Sequence, residues 1–156
     1  MTFRFATEAD CALILRFIRD LAAYEKMSDQ VVATEELLRE WIFQKQKAEV
    51  LFVCEDGQEV GFALFFHNFS TFLGRAGIYL EDLFVLPEYR GKSCGKALLK
   101  KLALIAVERG CGRLEWSCLD WNRPSIDFYL SLGAAPMDDW TTYRLTGKTL
   151  EEMARA

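Results

Sequence analysis

Leu86-Pro87-Glu88-Tyr89-Arg90-Gly91-Lys92-Ser93-Cys94-Gly95-Lys96-Ala97-Leu98-Leu99 carries an apolar strand end through a basic, glycine-bearing turn and straight into a helix. N–H groups in a helix's first turn lack partners within the helix, and the aligned peptide dipoles place about half a positive charge there, so such a turn suits phosphate. Gly91 and Gly95 let the backbone approach closely, while Arg90, Lys92 and Lys96 add charge. A Walker loop has four residues between its first glycine and its Gly-Lys pair, then Ser or Thr. Here three residues separate Gly91 from Gly95 and Ala97 follows Lys96, which excludes that loop. The G-x-G-x-x-G spacing of a dinucleotide fold is also missing.

Glu81 and Asp82 are adjacent carboxylates on an apolar stretch, Ile78 to Val85. Regular strand alternation puts Tyr79, Glu81, Leu83 and Val85 on one face and Leu80, Asp82 and Phe84 on the other. On that pattern the two acids diverge, and without a bulge they neither share a proton nor chelate a metal. The five cysteines are widely spaced and never in C-x-x-C order, so neither zinc nor a disulfide framework is indicated. A helix N-terminus lowers a thiol's pKa, which singles out Cys94 as a nucleophile to be tested. The single histidine, His67, sits in the aromatic run Phe65 to Phe69 and is poorly suited to be its partner, so both read as incidental.

The elements that position these residues follow from periodicity. Thr2 to Ala6 alternates as a strand, and Thr7 to Asp10 reads as a capping box before a helix with Ile14, Leu15, Ile18, Leu21 and Ala22 on one face, ending near Tyr24-Glu25. Thr34 caps a second helix that buries Leu37, Leu38, Trp41 and Ile42. Val50 to Cys54 and Glu59 to Phe66 are strands joined by a tight hairpin turn at Glu55-Asp56-Gly57-Gln58, with Gly61 a bulge or close approach and Asn68 to Gly77 a loop. After the basic turn, Leu98, Leu99, Leu102, Ile105 and Ala106 line a helix that stops at Arg109-Gly110. Arg113 to Leu119 is a strand, Asn122-Arg123-Pro124 opens a short helix, Trp140 to Leu145 closes as a strand, and Thr149 to Ala154 is helical. This order describes a mixed sheet with helices on its faces, in one α/β domain spanning residues 1–156.

Composition bounds the partners. With 156 residues, 51% hydrophobic and 13% aromatic, the chain can bury a substantial core. The formal charge of −4 argues against nucleic acid, whose binding needs clustered cations. No apolar run reaches the roughly 18 residues of a membrane span, and the N-terminus lacks a signal-peptide pattern, which points to the cytoplasm and no membrane partner.

The sequence Arg90-x-x-Ser93-x-Gly95 is similar to the R/Q-x-x-G-x-G/A loop of the GNAT acyltransferases, with Ser93 standing where that loop has glycine. If the position needs positive φ, serine is strained there. Three further segments resemble the diamine (spermidine/spermine) and thialysine N-acetyltransferase branch: Ala22 to Met27, Tyr79 to Val85, and Trp121 to Tyr129. The resemblance implies a mostly antiparallel central sheet whose splayed strands form an acetyl-CoA cleft, a small-molecule amine substrate, no metal, and a homodimer.

It also implies roles. Gly91, Lys92, Ser93, Cys94, Gly95 and Lys96 would cradle the CoA pyrophosphate, helped by the charge of Arg90. Leu83, Phe84 and Val85 would offer backbone groups to the pantetheine arm, with the Leu83 N–H at the thioester oxygen. Glu81 would be the base and Tyr129 the acid. Asn122 and Ser125 would line the thiol end, with Phe128 in the same wall, and Tyr24, Glu25, Glu81 and Asp82 would bind the amine. Glu115-Trp116-Ser117 and Asp138 to Tyr143 depart from the diamine enzymes, where substrate choice is made. Two alternatives stay open, a protein or peptide N-acetyltransferase and a non-catalytic acyl-CoA sensor.

Overall fold

The computed structural model describes residues 1–155. Residues Met1–Ser117 form one compact unit, and a second begins at Cys118.

The first unit is built on a five-stranded sheet in the order β1-β2-β3-β4-β5, with β1 at Thr2–Phe5, β2 at Glu49–Glu55, β3 at Gln58–Ser70, β4 at Arg75–Val85 and β5 at Leu114–Trp116. Neighbours are antiparallel except β4 and β5, which run parallel. Helix α1 (Cys11–Tyr24) packs on one face, where the Phe17 ring stacks on Phe62 at 5.4 Å and meets Phe52 and Phe84 at 6.1 and 6.5 Å. Phe17 is fully buried, although it lies outside the apolar face that the periodicity predicts. Asp10 ties the helix start down, since its Oδ2 accepts from Thr7 N–H at 2.7 Å.

Helix α2 (Glu35–Leu38) is capped by Thr34, whose Oγ1 accepts from Leu37 N–H at 3.1 Å. The chain then widens into a π-helical turn over Arg39–Gln44, with Lys45 N–H donating to Glu40 O at 2.8 Å. Leu38 and Ile42, four apart, pack on the core, while Leu37 and Trp41, expected in the core, lie one position earlier around the helix and are exposed.

The opposite face is covered by α3 (Cys94–Glu108), whose buried stripe is Cys94, Leu98, Leu99, Leu102, Ile105 and Ala106. Asp56 and Gly57 both take positive φ, 51° and 76°, as a two-residue hairpin of this twist requires. At Gly61 a Cβ would stand 2.7 Å from the Phe84 carbonyl oxygen, so glycine is what lets β3 and β4 approach there. The stretch expected to be a loop, Asn68 to Gly77, is mostly strand, because β3 runs to Ser70 and only residues 71–74 turn.

The second unit holds α4 (Arg123–Ser131) and α5 (Gly147–Arg155). The expected strand at Trp140 to Leu145 is absent. Its apolar residues do not alternate cleanly, and Trp140 and Tyr143 are 79% and 91% exposed. Likewise β5 is three residues long rather than reaching Leu119.

Candidate active site

Three features of the first unit meet along β4. The first is the turn into α3. Gly91 sits at φ 81° and Ser93 at φ 65°, ψ 15°, a left-handed conformation with no side-chain cap to compensate it. The serine therefore adopts the backbone a glycine would prefer. The earliest helical bond of α3 is Ala97 N–H to Ser93 O at 2.9 Å, so the N–H groups of Cys94, Gly95 and Lys96 have no helical acceptor. A Cβ added at Gly95 would meet only Leu83 Cδ2 at 3.8 Å and Val85 Cγ2 at 4.0 Å. Internal packing does not demand glycine there, and its bareness leaves the amides approachable from outside. Lys92 and Lys96 are exposed beside them. These donors and charges fit a diphosphate.

Cys94 places its thiol inward, 1% exposed, and burial pushes its pKa up. That is the opposite of an activated nucleophile. His67 lies on β3 with Nε2 3.3 Å from Arg109 Nη1, and Arg109 also pairs with Glu49.

The second feature is the open edge of β4. The ladder to β5 covers Ile78, Tyr79 and Leu80 only. Leu86 N–H donates to Val60 O at 2.8 Å, and Phe84 pairs with Phe62, so Phe84 turns its backbone to β3 and its ring to the core. By alternation Leu83 and Val85 present their N–H and C=O groups to the side where β5 has ended. Arg90 Nε donates to Val85 O at 3.0 Å.

The third feature corrects the face assignment of the acids. Leu64 pairs with Asp82 and Phe65 with Leu80, which leaves Glu81 as the extra residue of a β-bulge. Beyond the bulge the phase is reversed, so Leu80 and Leu83 share the α3 face while Asp82 joins Phe84 on the α1 face. The two acids do not diverge as ideal alternation required. Asp82 is raised to about 6, first by burial, then by the charges of Glu81 and Glu25. Glu25, just past the end of α1, is raised by burial. A phase break in the apolar pattern, Ile78 and Leu80 then Leu83 and Val85, is the sequence signal for this bulge. Among the described residues no cluster of three or more His, Cys, Asp or Glu side chains is arranged to hold a metal ion.

In the second unit, buried Asn122 caps α4, its Oδ1 accepting from Ser125 N–H at 3.4 Å. Ser125 and Tyr129, four apart, share a half-buried face of the helix, and the Tyr129 ring packs 5.7 Å from Phe128.

The model of the Acetyltransferase (GNAT) family matches residues 15–134, which include the α3 turn, the bulge and α4. The chain belongs to the GNAT acetyltransferase family. It is 42% identical to a thialysine N-epsilon-acetyltransferase of Bos taurus over 97% of this chain and 95% of that protein. A spermidine/spermine N(1)-acetyltransferase-like protein of Homo sapiens is 33% identical over 97% of this chain and 23% of that protein. Among solved structures, an integron cassette protein from the mobile metagenome of V. cholerae superposes with a TM-score of 0.82 at 28% identity, covering 99% of this chain and 98% of the other. This GNAT protein is thus an acyltransferase with a mostly antiparallel open sheet; the bovine relative is named for thialysine and the human one for its likeness to a spermidine/spermine N(1)-acetyltransferase. Among its described residues no helix is long and apolar enough to cross a membrane.

Proposed function

We propose that this chain is an acetyl-CoA-dependent N-acetyltransferase of a small primary amine, of the diamine, polyamine or thialysine type, working by direct attack in a ternary complex. The observation that carries the reading is the bulge at Glu81. It turns Asp82 toward the face that holds Glu25, while the neighbouring Leu83 and Val85 amides stay on the open edge beside α3. A cation site thereby adjoins an anion site across one strand.

The donor's thioester supplies the activated acyl group. The N–H groups of Cys94, Gly95 and Lys96, with the charges of Lys92 and Lys96, hold its diphosphate, and Gly91 and Ser93 shape the turn. Leu83 donates its N–H to the thioester oxygen as charge builds there. An alkylammonium with pKa near 10.4 needs about 4.6 kcal/mol to lose its proton at pH 7. Glu25, Glu81 and Asp82 attract it, with Tyr24 alongside, and Glu81 takes the proton directly or through water. As nitrogen bonds to the acyl carbon and the carbon–sulfur bond breaks, Tyr129 gives its hydroxyl proton to the thiolate, and the second proton that the nitrogen sheds on becoming an amide returns to the phenolate through water. Asn122 and Ser125 line that end. We further propose that the two units act as one GNAT domain, consistent with a family match that runs across Ser117.

The test is acetyl-CoA-dependent thiol release with spermidine, putrescine, thialysine and lysine-bearing peptides. Turnover of small amines is expected. Activity on peptides alone would make this a protein acetyltransferase, and acetyl-CoA binding without turnover on any amine would make it a sensor.

A further inference from the structure

Arg90 opens the loop's sequence pattern, yet its side chain is not simply held out toward an anion. Nε is committed to the Val85 carbonyl at 3.0 Å. The guanidinium carbon lies 5.0 Å from the Tyr24 ring centroid and 5.1 Å from that of Phe84. Each of the three partners belongs to a different part of the site. Tyr24 is the last residue of α1 and precedes Glu25, Phe84 follows the bulge on the face of Asp82, and Val85 O lies on the open edge. A guanidinium within about 6 Å of two aromatic rings is attracted to both, and its planar fork fixes direction in a way a lysine ammonium does not. One side chain therefore connects the loop, the strand edge and the helix end that presents the amine contacts.

We propose that Arg90 is a positioning residue that locks the Tyr24–Glu25 end of α1 and the open edge of β4 to the loop, governing amine recognition rather than binding the diphosphate. The assignment rests on the proposed acetyl-CoA and amine sites. Its consequence is a division of labour within the loop: the backbone amides and the two lysines hold the donor, and Arg90 sets the acceptor side. By occupying Val85 O it also leaves the Leu83 groups and Val85 N–H as the edge positions offered to a ligand.

Arg90→Lys keeps the charge without the planar fork, and Arg90→Gln removes the charge, so the pair separates the two roles. Acetyl-CoA affinity is read by titration calorimetry and amine kinetics by thiol release with the best amine of the panel. Both variants are expected to bind acetyl-CoA within threefold of wild type, and to raise the amine KM fivefold or more with kcat changed less than threefold. Tyr24→Leu is expected to raise KM as well, and the Tyr24→Leu/Arg90→Gln double variant to rise less than the product of the singles. A tenfold loss of acetyl-CoA affinity in Arg90→Gln but not Arg90→Lys, with amine KM unchanged, would overturn the proposal, as would strictly multiplicative effects in the double variant. Failure of the wild-type protein to bind acetyl-CoA would instead overturn the reading on which it rests.

Discussion

Ser93 holds φ 65° at the start of α3 without a capping hydrogen bond, so the residue pays strain that its hydroxyl does not return. Non-glycine residues in this region are disfavoured by about 1 kcal/mol or more, and glycine is not. Ser93→Gly is therefore expected to stabilise the fold by about 1 kcal/mol, about 2–4 °C in melting temperature, with the turn unchanged. Asp82 has the opposite problem. Its pKa, raised from 3.8 to about 6, means that the folded chain binds this proton more tightly than the unfolded chain. The stability linked to it is fully present below about pH 4 and is lost as pH rises through about 6. Asp82→Asn should thus match wild type at pH 4 and be more stable at pH 7.5, by on the order of 1–3 kcal/mol, in thermal melts at the two pH values. Tyr129→Phe should lower kcat about 10²-fold with acetyl-CoA affinity unchanged, since a thiolate leaves with modest help. Unchanged turnover would remove Tyr129 from the chemistry.

Among the elements, Gly61 and Asp10 carry distinct loads. Gly61→Ala would drive a Cβ to 2.7 Å from the Phe84 carbonyl, backbone against side chain with nothing flexible to yield, and should destabilise by about 2 kcal/mol or more in denaturant unfolding. Asp10 is held down at about 2 by Arg4, which also bonds Glu59 and so joins β1, β3 and the start of α1. That group contributes stability above about pH 4 and loses it as pH falls toward 2. The apolar stripe of α3 and the Asp56-Gly57 hairpin were readable because each depends on local periodicity or on φ preferences. The bulge was not, since strict alternation through Glu81 predicts opposite faces for the two acids, although the shift from Leu80 to Leu83 marks it. Nor was the π turn at Arg39–Gln44, because i→i−5 bonding has no residue signature. Trp140 to Leu145 shows the limit of propensity: a strand needs a neighbour to take its backbone groups, and sequence alone does not name one. The motif position that assigns Arg90 to the anion is local, whereas its contacts with Tyr24 and Phe84 are made by the tertiary fold.

For the whole molecule, the family match spans residues 15–134 and the proposed roles fall on both sides of Ser117, so the proposal of one GNAT domain has the two units working together. A single calorimetric unfolding transition, with equal calorimetric and van't Hoff enthalpies, is expected for one cooperative domain. Two separated transitions would contradict it. The net charge of −4 suits a cationic substrate through long-range attraction, yet the donor is an anion. Local geometry at the α3 turn must therefore overcome the overall field, and the claim that it does is the one on which the acyl-transfer account rests. Gly95→Asp isolates it. An acidic residue in a helix's first turn is favourable to the helix, and the space around Gly95 admits a side chain, so folding should be preserved. The same carboxylate would stand against a diphosphate held by these amides. In titration calorimetry, wild type should give saturable one-to-one heat with acetyl-CoA, and Gly95→Asp, with an unchanged melting temperature, should lose at least a hundredfold in affinity. No heat from wild type at millimolar acetyl-CoA, or equal binding by the two proteins, would contradict the account.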